Sequence, residues 1–523
     1  MKSVPRFRFV AFTTALLLSG LHTVDAQEPI PADFDAYVEN VCEVFEVPGI
    51  AVAIVKDGKV VLARGYGLRR MGRADRVDGR TLFGIASNTK AFTATALALL
   101  VEAGKIEWDT PVIQYLPSFR LSDPYVTSEI TVRDLLVHRS GLGLGAGDLL
   151  WWPPSTYDRK EITRRLRYIP LHTSFRSAYA YDNVLYTVAG EVIEAVSGET
   201  WEDFVGSRIL AKVGMKGSTV LHSAAGEGEN VATPHAPVDG KVQVVKPFAS
   251  DNTNPAGGIN SSAEDMARWL IVQLDSGRVA DGSRLFTPWT TKELWSMVTP
   301  MPMVTPAPEL SPLKCNFRAY ALGFVVEDYR GKKIVRHTGT LPGYVSRVTM
   351  VPEVKLGLAV LTNQESRDAY HAITYHILDH YLRAPGTDWI AAYRKVRARA
   401  EAAVASVEHH DAAARDSASH PSLPLERYAG TYTDAWYGDV VVVHENDGLT
   451  IQFSRTPALQ GKLVHWQYDT FVARWTDREL RADAFMTFSL NPDGSVDQIR
   501  MKAVSPATDF SFDFHDLKLR PSP

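Results

Sequence analysis

Cysteine is nearly absent: Cys42 and Cys315 are the two in 523 residues. Two thiols cannot build a disulfide scaffold, and these lack the close spacing of a zinc or redox motif. The sequence does not fix whether they meet in space, and two buried free thiols are the expectation. An excess of basic charge is missing too. Lys plus Arg number 56 against 60 Asp plus Glu, for a net charge of −4. No basic cluster interrupts that balance, which excludes a nucleic-acid binder. Beyond the N-terminus no apolar run is long enough to span a bilayer as a helix. His409-His410 has no further ligands at metal spacing and reads as part of a solvated linker.

The apolar share of 45% and charged share of 22% are those of an ordinary globular protein. At this length two to four domains are expected. The N-terminus has its own pattern. Lys2, Arg6 and Arg8 precede the short apolar run Phe9 to Leu21, and Val24-Asp25-Ala26 is a small-x-small site. This predicts a secretory signal peptide, residues 1–26, cleaved after Ala26, and a periplasmic or secreted protein. No cysteine follows the site, so no lipid anchor is expected there.

Phe34 to Phe45 has helical periodicity. Gly49 to Val55 and Lys59 to Tyr66 are β-rich runs around Lys56-Asp57-Gly58, a hairpin signal. A third short strand leads to residue 87. From about 100 to 252 the texture is helical. Ile130 to His138 reads as a helix capped by Thr131, and Asn183 to Val196 as a second. Trp151-Trp152-Pro153-Pro154 could line a cleft, but packing against the helical part is expected. Ser261 or Ser262 could cap a helix holding Asp265 and Trp269. Strands return at Tyr320 to Val326, Lys333 to His337, Val345 to Val351 and Leu356 to Leu361. A single sheet split by a helical insertion accounts for this order. Trp389 to Val407 reads as a surface helix and Asp411 to Pro424 as a linker, so 388–424 joins two domains. From 425 to 523, short strands punctuated by Asn446-Asp447-Gly448 and Pro492-Asp493-Gly494 predict a small antiparallel β-barrel or meander.

The stretch with chemistry is Phe83-Gly84-Ile85-Ala86-Ser87-Asn88-Thr89-Lys90, followed by an apolar run to Val101. It reads as a strand end, a tight turn and a helix opening on Ser87. Ser87 and Lys90 then share a helix face. The free N–H groups of a helix start favour charge developing on a serine oxygen. A buried lysine one turn on can take that proton. Tyr181-Asp182-Asn183 opens another helix. Its tyrosine, held near lysine, can act as a base of lowered pKa, and Asn183 can orient the lysine or a substrate amide. His337-Thr338-Gly339 ends a strand, where Gly339 would let a substrate backbone approach and edge N–H groups could face an oxyanion. Each motif alone has an ordinary structural explanation, as a cap, a buried tyrosine or a strand end.

In this order, Ser87-x-x-Lys90, Tyr181-x-Asn183 and His337-Thr338-Gly339 resemble the serine β-lactamase and penicillin-binding-protein fold. The nearest group is the class C-like, S12-type peptidases and esterases. Leu135 to Leu142, Pro255 to Ile259 with Asp265, Tyr320 to Phe324 and Gly339 to Gly343 resemble further motifs of that group. The likeness covers roughly 30–385, within a domain of 27–387, and the tail resembles the lipocalin-like barrel appended to such hydrolases. It implies an α/β (α+β) fold, an antiparallel sheet flanked by helices with an all-helical insertion, plus the C-terminal barrel. It also implies a serine hydrolase in which Ser87 is acylated. Lys90 and Tyr181 would share general-base duty, and Asn183 would hold Lys90 and the substrate. His337 would stand where lactamases have lysine, and the N–H groups of Ser87 and Thr340 would form the oxyanion hole, with Gly339 beside them. The resemblance implies no metal or organic cofactor, and a small peptide, amide or ester as substrate. Unusual or D-amino-acid-containing peptides are typical, and one related group cleaves linearised microcystin. Esterase, β-lactamase and non-catalytic penicillin-binding-like readings remain alternatives. Histidine at 337 weakens the lactamase reading, because a neutral imidazole cannot replace a permanent cation. Asp182 is expected to add negative charge near the site.

Overall fold

A computed structural model describes Met1 and residues 29–226, 230–446 and 448–522. The expected signal peptide lies outside the described residues apart from Met1, as does Asp447 of the expected hairpin.

The central sheet has eight antiparallel strands. In spatial order they are Lys59–Gly67, Gly49–Lys56, Leu356–Thr362, Tyr344–Val351, Lys332–Leu341, Val325–Tyr329, Arg318–Tyr320 and Thr299–Pro300. The first hairpin turns at Asp57 and Gly58, both with positive φ, as a two-residue Asp-Gly connection requires. Alternation along Gly49–Lys56 feeds two cores. Ile50, Val52 and Ile54 pack with the helices Phe34–Val44 and Arg367–Tyr381, while Ala51, Ala53 and Val55 face the opposite core. In that second core lies the helix Lys90–Glu102, buried nearly all round, with Trp269 stacked on Phe92 at 3.9 Å.

The helical insertion is present, with Val184–Ser197 as its central helix. Several local expectations need correction. Ile130 to His138 is not a helix but a single turn, Asp134–Leu136. Asp134 folds back to accept from the Thr131 N–H at 3.0 Å, and His138 takes a positive φ of 56°. The expected strand Tyr320 to Val326 is two strands, because Gly323 at φ 80° turns the chain between them. The helix from Trp389 runs on to Ala413, taking in His409 and His410, and its first turn is buried rather than superficial. Cys42 and Cys315 are free thiols, and they are partly rather than fully buried.

Beyond residue 424 eight antiparallel strands form a nearly closed barrel, ordered from Val496–Ala503 through to Arg520–Pro521, with Ile499 bridging Leu519. The barrel docks on the helical insertion. Tyr157 donates to the Tyr437 carbonyl, Arg165 to that of Trp436 at 2.9 Å, and the Thr156 N–H to that of Arg455 at 2.8 Å. Salt bridges Lys246–Asp477 and Arg481–Glu365, both 2.7 Å, close the far side. Among the described residues no helix is long and apolar enough to cross a membrane.

Candidate active site

Ser87 lies in a 3-10 turn, Ala86–Thr89, and the α-helix begins only at Lys90. Ala86 has a positive φ of 49°, a strained conformation of the kind that collects at working sites. The turn is tied to the sheet. Ser346 donates to the Ile85 carbonyl at 2.7 Å, and the Asn88 amide donates to Ser346 at 2.8 Å.

The Ser87 hydroxyl oxygen accepts from Lys90 Nζ at 3.1 Å and from the Tyr181 phenol at 2.9 Å. Lys90 also donates to Asn183 Oδ1 at 2.8 Å and to the Ala256 carbonyl at 2.9 Å. Burial lowers the Lys90 pKa to about 7, against the pull of Asp148 and Asp182. A lysine lowered this far can lose its proton near neutral pH. Tyr181 goes the other way: burial raises it well above the ordinary tyrosine value, so it is a phenol. The lowered tyrosine pKa expected from sequence is therefore corrected, because desolvation outweighs the neighbouring lysine.

Asn183 is held at both ends of its amide: Oδ1 accepts from Lys90, and one N–H of Nδ2 donates to Asp148 Oδ2 at 2.9 Å, which leaves the second N–H of an amide that lines the cavity. Asp148 is fully buried, and burial raises its pKa to about 7 despite donors from Trp151 and Ser511, each at 2.8 Å, and from Asn183. Asp182 is likewise raised to about 7 by burial, so it is not the fixed negative charge expected at this position.

His337 is buried. Its Nδ1 lies 2.7 Å from the Thr338 carbonyl, which can only accept, so the ring proton sits there. Nε2 then accepts from the Tyr320 phenol at 2.7 Å. Burial pushes the pKa well below the usual histidine value, and the ring is neutral. His138 sits between Tyr181 and Tyr320, each 4.3 Å away centre to centre, and is neutral for the same reason.

Strand Lys332–Leu341 pairs with Val325–Tyr329 only as far as Arg336, but with Tyr344–Val351 to Leu341. From His337 onward no strand among the described residues covers its other edge. Gly339 packs under the Ser87 turn: a Cβ there would meet the Ile85 carbonyl at 2.2 Å. The close approach that demands glycine is therefore made by the protein's own turn, not by a substrate. Ser87, Tyr181, Asn183, His337 and Thr340 all line one cavity of about 300 Å³, while Lys90 and Gly339 stand behind its wall.

The barrel also reaches the site. Phe510 lies edge-on to Tyr181 at 6.1 Å, Ser511 holds Asp148, and the buried Asp513 carboxyl group accepts from the N–H groups of Gly147 at 2.7 Å and Leu149 at 3.0 Å. Trp151 and Trp152 are buried, as expected, and still line the cavity. Asp148, Ser346, Ser511 and Asp513 carry no motif, and the sequence does not single them out. The one available signal was the placement of an aspartate just before a tryptophan pair.

Residues 34–382 match the Beta-lactamase family, two thirds of the chain. The chain belongs to the beta-lactamase family. Residues 414–521 match a domain of unknown function, DUF3471. The unguisins hydrolase ungD' of Aspergillus campestris is 29% identical over 501 residues, covering 91% of this chain and 90% of that protein. Among solved structures, the octameric penicillin-binding protein homologue of Pyrococcus abyssi aligns with a TM-score of 0.58 at 21% identity, covering 93% and 99% of the two chains. The D-amino acid amidase of Ochrobactrum anthropi aligns at 0.54 and 23%, covering 67% and 98%. These structural likenesses speak for the fold. As a family member, the protein is a serine hydrolase of the β-lactamase fold with a C-terminal barrel.

Proposed function

We propose that this hydrolase cleaves amide bonds in peptides, D-residue-bearing ones included, through an acyl-enzyme on Ser87, and that it works as an exported protein. The observation that carries the reading is the double hydrogen bond on the Ser87 oxygen, from an amine near its neutral point and from a phenol. Neutral Lys90 takes the Ser87 proton as Oγ attacks the substrate carbonyl carbon. The N–H groups of Ser87 and Thr340 receive the oxyanion. Collapse breaks the C–N bond, and the proton passes from Lys90 through Tyr181 to the leaving nitrogen. Water then hydrolyses the ester, giving one proton back to Ser87. Neutral His337 offers a substrate carboxylate no cation, which counts against β-lactams. The names of the unguisins hydrolase and the D-amino acid amidase support unusual peptides and amides as the substrate class, with linearised microcystin one candidate.

The test is labelling by a fluorophosphonate, read by intact mass, in wild type and Ser87→Ala. One phosphonyl group on wild type alone is expected. Equal labelling of both would defeat the proposal. Digests of peptides of either chirality, beside p-nitrophenyl esters and nitrocefin, then rank amide, ester and lactam turnover.

A further inference from the structure

A second cavity of about 920 Å³ lies between the hydrolase domain and the barrel, roughly three times the size of the catalytic one. Trp152, Thr340, Arg367, Asp509 and Phe510 belong to the walls of both, so the two adjoin. Each is within the range that a bound small ligand fills. Resting on the peptide-hydrolase reading above, we propose that the second cavity is an extended subsite for an uncharged, apolar stretch of the peptide attacked at Ser87.

The walls argue for that chemistry. Trp152 stacks on Phe248 at 5.4 Å, with Phe512 edge-on to Trp152 at 6.5 Å. Prolines at 153, 154, 237, 247, 342 and 457 supply rigid surface without an N–H to satisfy. Arg367 and Asp509 stand where the two cavities meet, and beyond them the charged side chains of the wall already have partners in the protein. Lys246 pairs with Asp477 and Arg481 with Glu365, while Glu479 accepts from the Lys246 N–H at 2.8 Å. Away from that junction a charged substrate side chain would have to break one of these pairs or go unpaired, whereas an apolar one gains desolvation. Position argues for a peptide. Thr340 and Leu341, in the wall, end the strand whose edge is uncovered beside Ser87, and an extended chain laid along that edge leads from one cavity into the other. Half of the lining, from Pro457 to Phe512, comes from the barrel, which makes the barrel part of the specificity apparatus.

Binding to full-length Ser87→Ala, measured by calorimetry, tests the subsite apart from the chemistry. The probes are blocked dipeptides and hexapeptides of alanine, leucine and phenylalanine in either chirality, and the same hexapeptides carrying aspartate or lysine. The apolar hexapeptides are expected to bind at least about tenfold tighter than the dipeptides, as filling an apolar pocket commonly gives. Charged hexapeptides should lose that gain. Ala458→Trp, and independently Ala507→Trp, fill the cavity from the barrel side and should erase it too. In the wild-type background both should leave the rate of fluorophosphonate labelling within about twofold, which also reports their folding. Hexapeptides that bind no better than dipeptides, or a gain untouched by both tryptophans, would overturn the subsite. Failure of wild type to label would instead remove the Ser87 chemistry and leave the binding result standing.

Discussion

The hydroxyl of Ser511 donates a 2.8 Å hydrogen bond to the carboxyl of Asp148, across 363 residues of sequence. Asp148 is joined in turn through Asn183 to Lys90. A barrel residue therefore stands three hydrogen bonds from the amine beside the nucleophile.

That chain sets a pH dependence. Below about pH 7 Lys90 is protonated and cannot accept from Ser87, so kcat/KM is expected to rise with pH through about 7. Asp148 holds the proton on Lys90, so Asp148→Asn should move this limb to lower pH. Ser511→Ala removes a donor that favours the Asp148 carboxylate. Asp148 then keeps its proton to higher pH, and the limb should shift down by a smaller amount. Pre-steady-state acylation against pH in the three proteins checks both signs, and a shift to higher pH would contradict the account.

Tyr181→Phe keeps the ring against His138 and Phe510 but loses the phenol on Ser87. Proton transfer by a placed side chain contributes about 10² to 10⁴ in rate. A fall of that size in kcat with an unaltered melting temperature is expected, from stopped-flow kinetics and calorimetry side by side.

Gly339→Ala has no room. Its Cβ would press on the Ile85 carbonyl at 2.2 Å and on Ser346 Oγ at 2.7 Å, so either the Ser87 turn or the strand must move. Overpacking of this sort costs about 1–3 kcal/mol. Urea unfolding should show that loss, with activity falling further than stability alone requires.

Asp513→Ala strips the partner from two buried N–H groups, those of Gly147 and Leu149. Each unsatisfied group costs about 1–3 kcal/mol. The expected result is a loosened barrel: faster protease cleavage in the 414–424 connection and lost activity, with the circular dichroism of both domains retained.

Much of this was legible in the sequence. The Asp57-Gly58 turn, the alternation in Gly49–Lys56 and the spacing of Ser87 and Lys90 are local patterns, and local physics settled them. The family likeness placed Tyr181, Asn183, His337 and Thr340 around one cavity, where they lie. What escaped was set by burial and by distant contacts. Nothing local says that Tyr181 is desolvated enough to stay a phenol, or that Asn183 ties Lys90 to a buried Asp148. Its place at a strand end marks Gly339 as a close-approach site, but which backbone approaches depends on a turn about 250 residues earlier. Asp148 and Asp513 look like solvated loop aspartates until two domains are laid together.

The stitch between Ser511 and Asp148 also bears on timing. During synthesis the hydrolase sheet can close once residue 362 has emerged, and the nucleophile turn with it. The carboxyl that tunes Lys90 acquires its last partner only after the barrel has been made and has docked. Chains interrupted between those points would carry the nucleophile turn without the barrel's contacts to Asp148, Gly147 and Leu149, so the pH limb set by Lys90 is completed only by the last stretch of the chain.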